Sequence, residues 1–325
     1  VNTAPVLDPV GAQSGDEGTL ITFAATASDS DVPANTLTFT LEDGAGLVPL
    51  GASITAGGAF TFTPSEAQGP GVYSFDVVVA DDGTGLLEDR ETITVTVNEV
   101  NVAPVLDPVG PQSGDEGTLI SFTATASDSD VPAKALTFSL EDGAGSVPAG
   151  ASITAGGAFA WTPTEAQGPG VYSFDVVVTD DGAGLLEDRE TITVTVSEVN
   201  VVPVLDPVGP QAGDEGTLIG FTATASDSDV PANSLTFSLE DGVGSVPAGA
   251  SITAGGVFTF TPSEAQGPGV YSFDVVVTDD GAGLLEDRET ITVIVNEVNV
   301  APILDPVGPP VSYTHLTLPT IVREC

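Results

Sequence analysis

The chain has 325 residues but only one cysteine, one histidine, one tryptophan and no methionine. The single thiol (Cys325) and the single imidazole (His315) both fall within residues 311–325, so the rest of the chain has neither. That excludes disulfide staples, thiolate chemistry and zinc sites from almost the whole sequence. Cations are nearly as scarce. Five Lys and Arg against 47 Asp and Glu leave a formal net charge of −42. This balance excludes a nucleic-acid backbone or an anionic membrane as partner and favours cations or a salty extracellular medium. No apolar run is long enough to insert into a bilayer, and no signal peptide is visible. With Val1 first and no Met, the expectation is a fragment whose targeting signals lie elsewhere.

High charge by itself suggests disorder, but 41% of the residues are hydrophobic, and 38 Gly and 25 Pro punctuate them. That apolar content can offset chain entropy. It is also periodic. Asp29, Asp128 and Asp227 lie 99 residues apart, as do Arg90, Arg189 and Arg288, and Asn2, Asn101 and Asn200 mark equivalent starts. A period this long is too great for a solenoid and right for one independently folding domain. The expected domains are therefore 1–99, 100–198 and 199–297. "NVAPILDPVG" from Asn299 opens a fourth copy over 298–310. The tail 311–325, "VSYTHLTLPTIVREC", breaks the pattern, resembles translated sequencing-adapter read-through, and is expected to be non-native and unstructured.

Within a copy the hydrophobic period is two. "TLITFAATA" puts Ile21, Phe23 and Ala25 on one face, and "LTFTL" does the same with Leu37, Phe39 and Leu41. "VYSFDVVV" buries Tyr73, Phe75, Val77 and Val79, and "TITVTV" buries Ile93, Val95 and Val97. With "PVLDPVG", "ASIT" and "AFTFTP" that makes seven short strands separated by Gly, Pro and Asp clusters. Seven strands without helical periodicity predict an all-β fold: tandem Ig-like, Greek-key β-sandwiches in a linear array. Phe62, Trp161 and Phe260 occupy one slot and read as core.

In such a sandwich the loops alternate between the two ends. "SDSDVPAN" (Asp29, Asp31) and "ADDGTGLLEDRE" (Asp81) fall at the top, while "SGDEGT" (Glu17), "TPSEAQGPG" (Glu66) and "NEVN" (Glu99) fall at the bottom. At the first junction Glu17, Glu66 and Glu99 then face Asp128, Asp130 and Asp180, with Asn101 between them. At the second, Glu116, Glu165 and Glu198 correspond to the first group and Asn200, Asp227, Asp229 and Asp279 to the other. Two like charges about 4 Å apart repel by about 4 kcal/mol at an effective dielectric near 20. Oxygen-only donors on flexible loops suit a hard cation, Ca²⁺ before Mg²⁺.

At these residues the sequence resembles cadherin repeats. "ATASDSDVPANTLTF" is similar to the calcium-binding D-x-D segment with its following Asn. "VVVADDG" resembles the A-T-D-x-G segment, which implies ligand roles for Asp81, Asp180 and Asp279, and "DEGTL" resembles the early glutamate segment, implying Glu17, Glu116 and Glu215. The likeness covers all three copies and is strongest to bacterial cadherin-like and dystroglycan-type repeats of large surface or secreted proteins. Three departures stand out. The linker D-x-N-D-N-A-P is here "NEVNVAP" (Asn98 to Pro104). "LEDRE" (Leu87 to Glu91) lies after the sixth strand rather than before it, so Glu88, Asp89 and Glu91 take no ligand role. Copy two has Lys134 where the others have Asn35 and Asn233. Fewer ions per junction than in cadherins is the implied result.

Other readings stay open. Asp in a Gly-rich loop also serves turn chemistry by capping nearby N–H groups, and overall acidity also suits solubility or high salt. No nucleophile–base pair or phosphate loop appears, and three equal copies point to a repeated structural task rather than an enzyme. The expectation is an extracellular, secreted or cell-surface stalk or adhesin segment, with calcium and the neighbouring repeats as its partners. The alternatives are a module that binds a cell-surface glycan or protein, and a metal-free acidic spacer.

Overall fold

The computed structural model describes residues 1–309. In the first repeat the strands are β1 (Val6–Leu7), β2 (Gln13–Asp16), β3 (Ile21–Ala24), β4 (Ala27–Ser28), β5 (Thr38–Glu42), β6 (Ser53–Ile54), β7 (Ala59–Phe62), β8 (Gly71–Ala80) and β9 (Glu88–Asn98). The second and third repeats reproduce them 99 and 198 residues later. One sheet runs β3-β7-β6 and another β2-β9-β8-β5, while β1 pairs with β4 in a separate two-stranded ladder. The protein is all-β, three tandem Ig-like sandwiches. Val1–Val199 forms one compact unit and the described residues from Asn200 onward a second.

The alternation read from sequence is what fills each sandwich. Ile21, Phe39, Phe60, Phe62, Phe75, Val77, Ile93 and Val95 are buried between the layers of repeat one. The rings of Phe23, Phe60 and Phe75 stack in series at 4.4 and 5.9 Å. Full burial of such a side chain is worth about 1.5–3 kcal/mol. Trp161, in the slot of Phe62 and Phe260, is buried edge-on to Tyr172 at 4.9 Å, and its indole N–H donates to Ala149 O at 3.2 Å. Tyr73 closes a corner by donating its hydroxyl to Gln68 O at 2.8 Å.

Nine stretches make up seven strands because two are broken, and here the structure corrects the sequence reading. The first strand switches layers: β1 lies antiparallel to β4, and β2 crosses over to pair in parallel with β9. Thus "SGDEGT", expected as a turn, begins in a strand. Polar and Gly-containing "QSGD" carries no apolar alternation, and its order comes from the ladder to β9. Gly15 is needed there because a Cβ would press into the Ile21 side chain. The last strand starts at Glu88, so "EDRE", expected in a loop, is strand too. Its carboxylates clasp the entering segment. Asp89 Oδ2 accepts the Leu7 N–H at 2.8 Å, and Glu91 accepts those of Val10 and Gly11 at 2.7 and 3.0 Å.

β8 is buried on both faces, beyond the alternating set expected. Val78 is buried opposite Thr40 and Arg90, and Asp76 is buried with its Oδ1 accepting the Thr92 hydroxyl at 2.6 Å. Arg90 spans Glu42 (3.3 Å), Glu88 (3.0 Å) and Asp76 (3.6 Å). Residues 298–309 form no strand, and Ile303 and Leu304 are exposed. The 311–325 tail and its expected lack of structure lie outside the described residues.

Trp161 is the chain's one tryptophan, so its emission during urea unfolding reports on repeat two alone. Phe174→Ala should lower that repeat's stability by about 3–5 kcal/mol, seen as an earlier red shift. Thr191→Val removes the hydroxyl that reaches buried Asp175 Oδ1 at 2.6 Å, and the same assay should show a loss of about 1–3 kcal/mol.

Candidate metal centre

The lower end of repeat one is assembled by backbone that its sequence makes unusual. Because β2 runs parallel to β9, Glu17 arrives beside the exiting chain, where its N–H donates to Asn98 O at 3.1 Å. Its side chain is 6% exposed, and Oε1 accepts the Val100 N–H at 2.9 Å. A Cβ at Gly69 would collide with this carboxylate, so glycine makes room for it. Glu66 opens the 3₁₀ turn Glu66–Gln68, which is pinned by Ser65 N–H to Gln68 Oε1 (3.0 Å) and Gln68 Nε2 to Leu50 O (3.1 Å). Glu99 follows β9 directly. One carboxylate oxygen from each of Glu17, Glu66 and Glu99 lies within 4.8 Å of the others. Burial raises the Glu17 carboxyl above the usual range; the Val100 N–H opposes this, and the charges of Glu66 and Glu99 add to it.

The upper end of repeat two supplies the facing group. The Asp130 N–H donates to Asp128 Oδ1 at 2.8 Å, a local turn that fixes the D-x-D loop. Asp130, 3% exposed, accepts the Val102 N–H at 3.0 Å. Asn101 Nδ2 donates to Asp180 Oδ2 at 2.9 Å, while Asp180 Oδ1 accepts the N–H groups of Gly182 and Leu186 at 2.9 and 3.1 Å. A Cβ on Gly182 would strike Asn101. Burial raises Asp130 first; the Val102 N–H lowers it, Asp128 raises it, Lys134 lowers it and Glu99 raises it again.

These two ends meet inside the Val1–Val199 unit. Glu66 Oε1 accepts the Val131 N–H at 2.9 Å across the junction. Lys134 Nζ lies 3.0 Å from Glu99 Oε1 and 3.8 Å from Asp130 Oδ2. Yet Glu17 Oε2, Glu99 Oε2, Asp128 Oδ2 and Asn101 Oδ1 are buried with no hydrogen-bond partner among the described residues. Buried carboxylate oxygens without donors are costly. The donor set is all oxygen, carboxylate and amide carbonyl, from several loops. That chemistry fits Ca²⁺ and excludes a soft-metal site.

Equivalent residues keep these contacts within the other repeats. In repeat one, Asn2 donates to Asp81 Oδ2 at 2.9 Å, Asp29 Oδ1 accepts the Asp31 N–H at 2.8 Å, and Asp29 Oδ2 is an orphan. Asp31 is held below its usual range, chiefly by the Thr3 hydroxyl at 2.7 Å. At the lower end of repeat two, Glu116, Glu165 and Glu198 converge within 4.8 Å, with Val199 N–H on Glu116 Oε1 at 3.0 Å. In repeat three, Asn200 donates to Asp279 Oδ2 at 2.9 Å and Asp229 accepts the Val201 N–H at 3.0 Å. Asp227 Oδ1 there accepts the Asp229 N–H at 2.9 Å. Glu215, Glu264 and Glu297 converge in turn, and the Glu215 charge is the first cause that raises Glu264.

Sequence reasoning did not find the backbone donors of Val100, Val102 and Val131. They have no side-chain signature; the linker brings Val100 and Val102 to carboxylates, and the D-x-D loop brings Val131.

The arrangement can be set beside known proteins. The solved structure of mouse cadherin-23 EC22–24 is 21% identical with a TM-score of 0.53, covering 92% of this chain and all of that one. Human CDH23 EC21–23 is 19% identical with a TM-score of 0.53, covering 87% and 98%. These show the fold. The Drosophila melanogaster "Protocadherin-like wing polarity protein stan" is 25% identical over an alignment of 304 residues that covers 84% of this chain but only 8% of that protein. The family profile described as "Putative Ig domain" matches residues 4–98, 103–197 and 202–296. With all three repeats matched, the chain belongs to the He_PIG family of Ig domains.

Proposed function

We propose that this chain is a non-enzymatic segment of an extracellular stalk or adhesion protein, and that Ca²⁺ at the repeat ends fixes one repeat against the next. One observation carries this reading. Glu17, Glu66 and Glu99 converge at the end of repeat one, Glu66 and Glu99 contact repeat two through Val131 and Lys134, and among the described residues three buried carboxylate oxygens (on Glu17, Glu99 and Asp128) and the Asn101 amide oxygen lack a donor. At the first junction the residues that would hold the ion are Glu17, Glu66, Glu99, Asn101, Asp128, Asp130 and Asp180. Glu116, Glu165 and Glu198, and Asn200, Asp227, Asp229 and Asp279, present the same donor types in their own repeats. Bound Ca²⁺ would supply positive charge and a directional set of oxygen contacts.

The extracellular placement is supported by the cadherin-like fold and by the named relatives. Among the described residues no helix is long and apolar enough to cross a membrane. A bacterial surface or secreted origin is part of the proposal, supported by the resemblance of the repeat sequence to bacterial cadherin-like repeats.

Calcium titration of the chelator-treated chain, followed by thermal melting, tests this. At a hundredfold excess over Kd each site should add about 2.7 kcal/mol, a midpoint rise of several degrees. Asp128→Ala combined with Asp130→Ala should shrink the calcium-dependent rise, whatever it does to the metal-free midpoint. An unchanged midpoint in millimolar calcium overturns the proposal.

A further inference from the structure

Lys134 is the chain's only lysine, and it stands where copies one and three carry Asn35 and Asn233. Those asparagines act inside their own repeat. Asn35 Nδ2 donates to Asn2 Oδ1 at 2.7 Å and to Asp31 Oδ2 at 3.1 Å, and Asn233 makes the same two bonds to Asn200 and Asp229. Lys134 does something else. Its longer side chain carries the ammonium out of repeat two to Glu99 Oε1 of repeat one, while staying near Asp130 Oδ2. The lysine side chain is 13% exposed, Glu99 21% and Asp130 0%, so the group is sheltered from water. Shielded pairs of this kind are screened by salt far less than surface ones.

We infer that Lys134 is a built-in counter-ion that takes the place of one bound divalent cation at the first junction, making that junction less calcium-dependent than the acidic residues around it imply. The chemistry follows from the donor count. An ammonium offers three N–H donors and one positive charge, so it satisfies carboxylate oxygens that would otherwise need a metal. Here it occupies Glu99 Oε1 and repels a second cation from the space beside Asp130. Glu17 Oε2, Glu99 Oε2, Asp128 Oδ2 and Asn101 Oδ1 remain without donors among the described residues, so the junction keeps ligand capacity beside the lysine. Part of the junction's neutralising charge is therefore carried on an attached side chain and persists when calcium is withdrawn.

The ion count in this inference rests on the calcium reading, but its counter-ion role does not, and the test separates them. Lys134→Asn installs the residue of the other two copies, and Lys134→Met removes the charge while keeping an unbranched apolar stem. In chelator at low ionic strength, both variants should melt below the unaltered chain, with Trp161 emission marking repeat two. In calcium, equilibrium dialysis with ⁴⁵Ca²⁺ should show Lys134→Asn binding at least one more ion per chain than the unaltered protein, and its calcium-induced midpoint rise should be larger. Equal melting of all three chains in chelator overturns the counter-ion role. Equal ion counts, with calcium bound by both, overturn the replacement of a metal. If neither chain binds calcium, the calcium reading fails, and the chelator melts still decide what Lys134 does.

Discussion

A carboxylate that leaves water needs a hydrogen-bond donor or a cation, and this chain has very few cations to offer. The structure meets that constraint in two ways. Many acids are turned onto backbone N–H groups of their own repeat. Asp43 receives Val48, Asp82 receives Thr36, Asp89 receives Leu7, and Asp81 receives both Gly83 and Leu87. These replace water with fixed donors and order the loops, so much of the negative charge is architectural. The acids at the repeat ends are different. Among the described residues Glu17, Glu99 and Asp128 each keep one buried oxygen without a donor, the first two within a cluster of glutamates and Asp128 beside Asp130. Turn chemistry is thus present throughout, and on Glu17 and Asp128 it occupies one carboxylate oxygen while the other is left without a donor among the described residues.

Packing and charge are linked through strand order. Parallel pairing of β2 with β9 brings Glu17 beside the chain exit, and the 3₁₀ turn before β8 brings Glu66 to the same place. The hydrophobic layers fix those strands, so the acidic cluster inherits its geometry from the core. Gly69 and Gly182 are the local concessions, each leaving space for a polar side chain that a Cβ would displace.

Most of the fold was legible in the sequence because period-two burial is written directly in residues such as Phe39, Phe75, Val77, Ile93 and Val95. What escaped were stretches ordered by partners distant in sequence. Gln13–Asp16 lacks apolar alternation and is held by the β9 ladder, and Glu88–Glu91 looks like a loop because its side chains face water or cap the entering strand. Val78 and Asp76 were hidden for a similar reason, since cover on the outer face of β8 comes from neighbouring strands. For the candidate site, counting strands up and down was enough to group Glu17 with Glu66 and Glu99. Distances to Val100, Val131 and Lys134 depend on the linker's course, which local residue pattern does not encode.

Near-identity among the repeats gives single differences unusual weight. Arg90, Arg189 and Arg288 each pair with acids of their own repeat, on an exposed sheet face where such pairs contribute little. Lys134 instead joins two repeats in a sheltered setting. One Asn-to-Lys difference between copies therefore changes the charge of a junction without altering the sandwich core. An array of this kind can vary the charge at successive repeat ends while keeping one fold throughout, because the residues that set the core and those at the repeat ends occupy separate parts of each repeat.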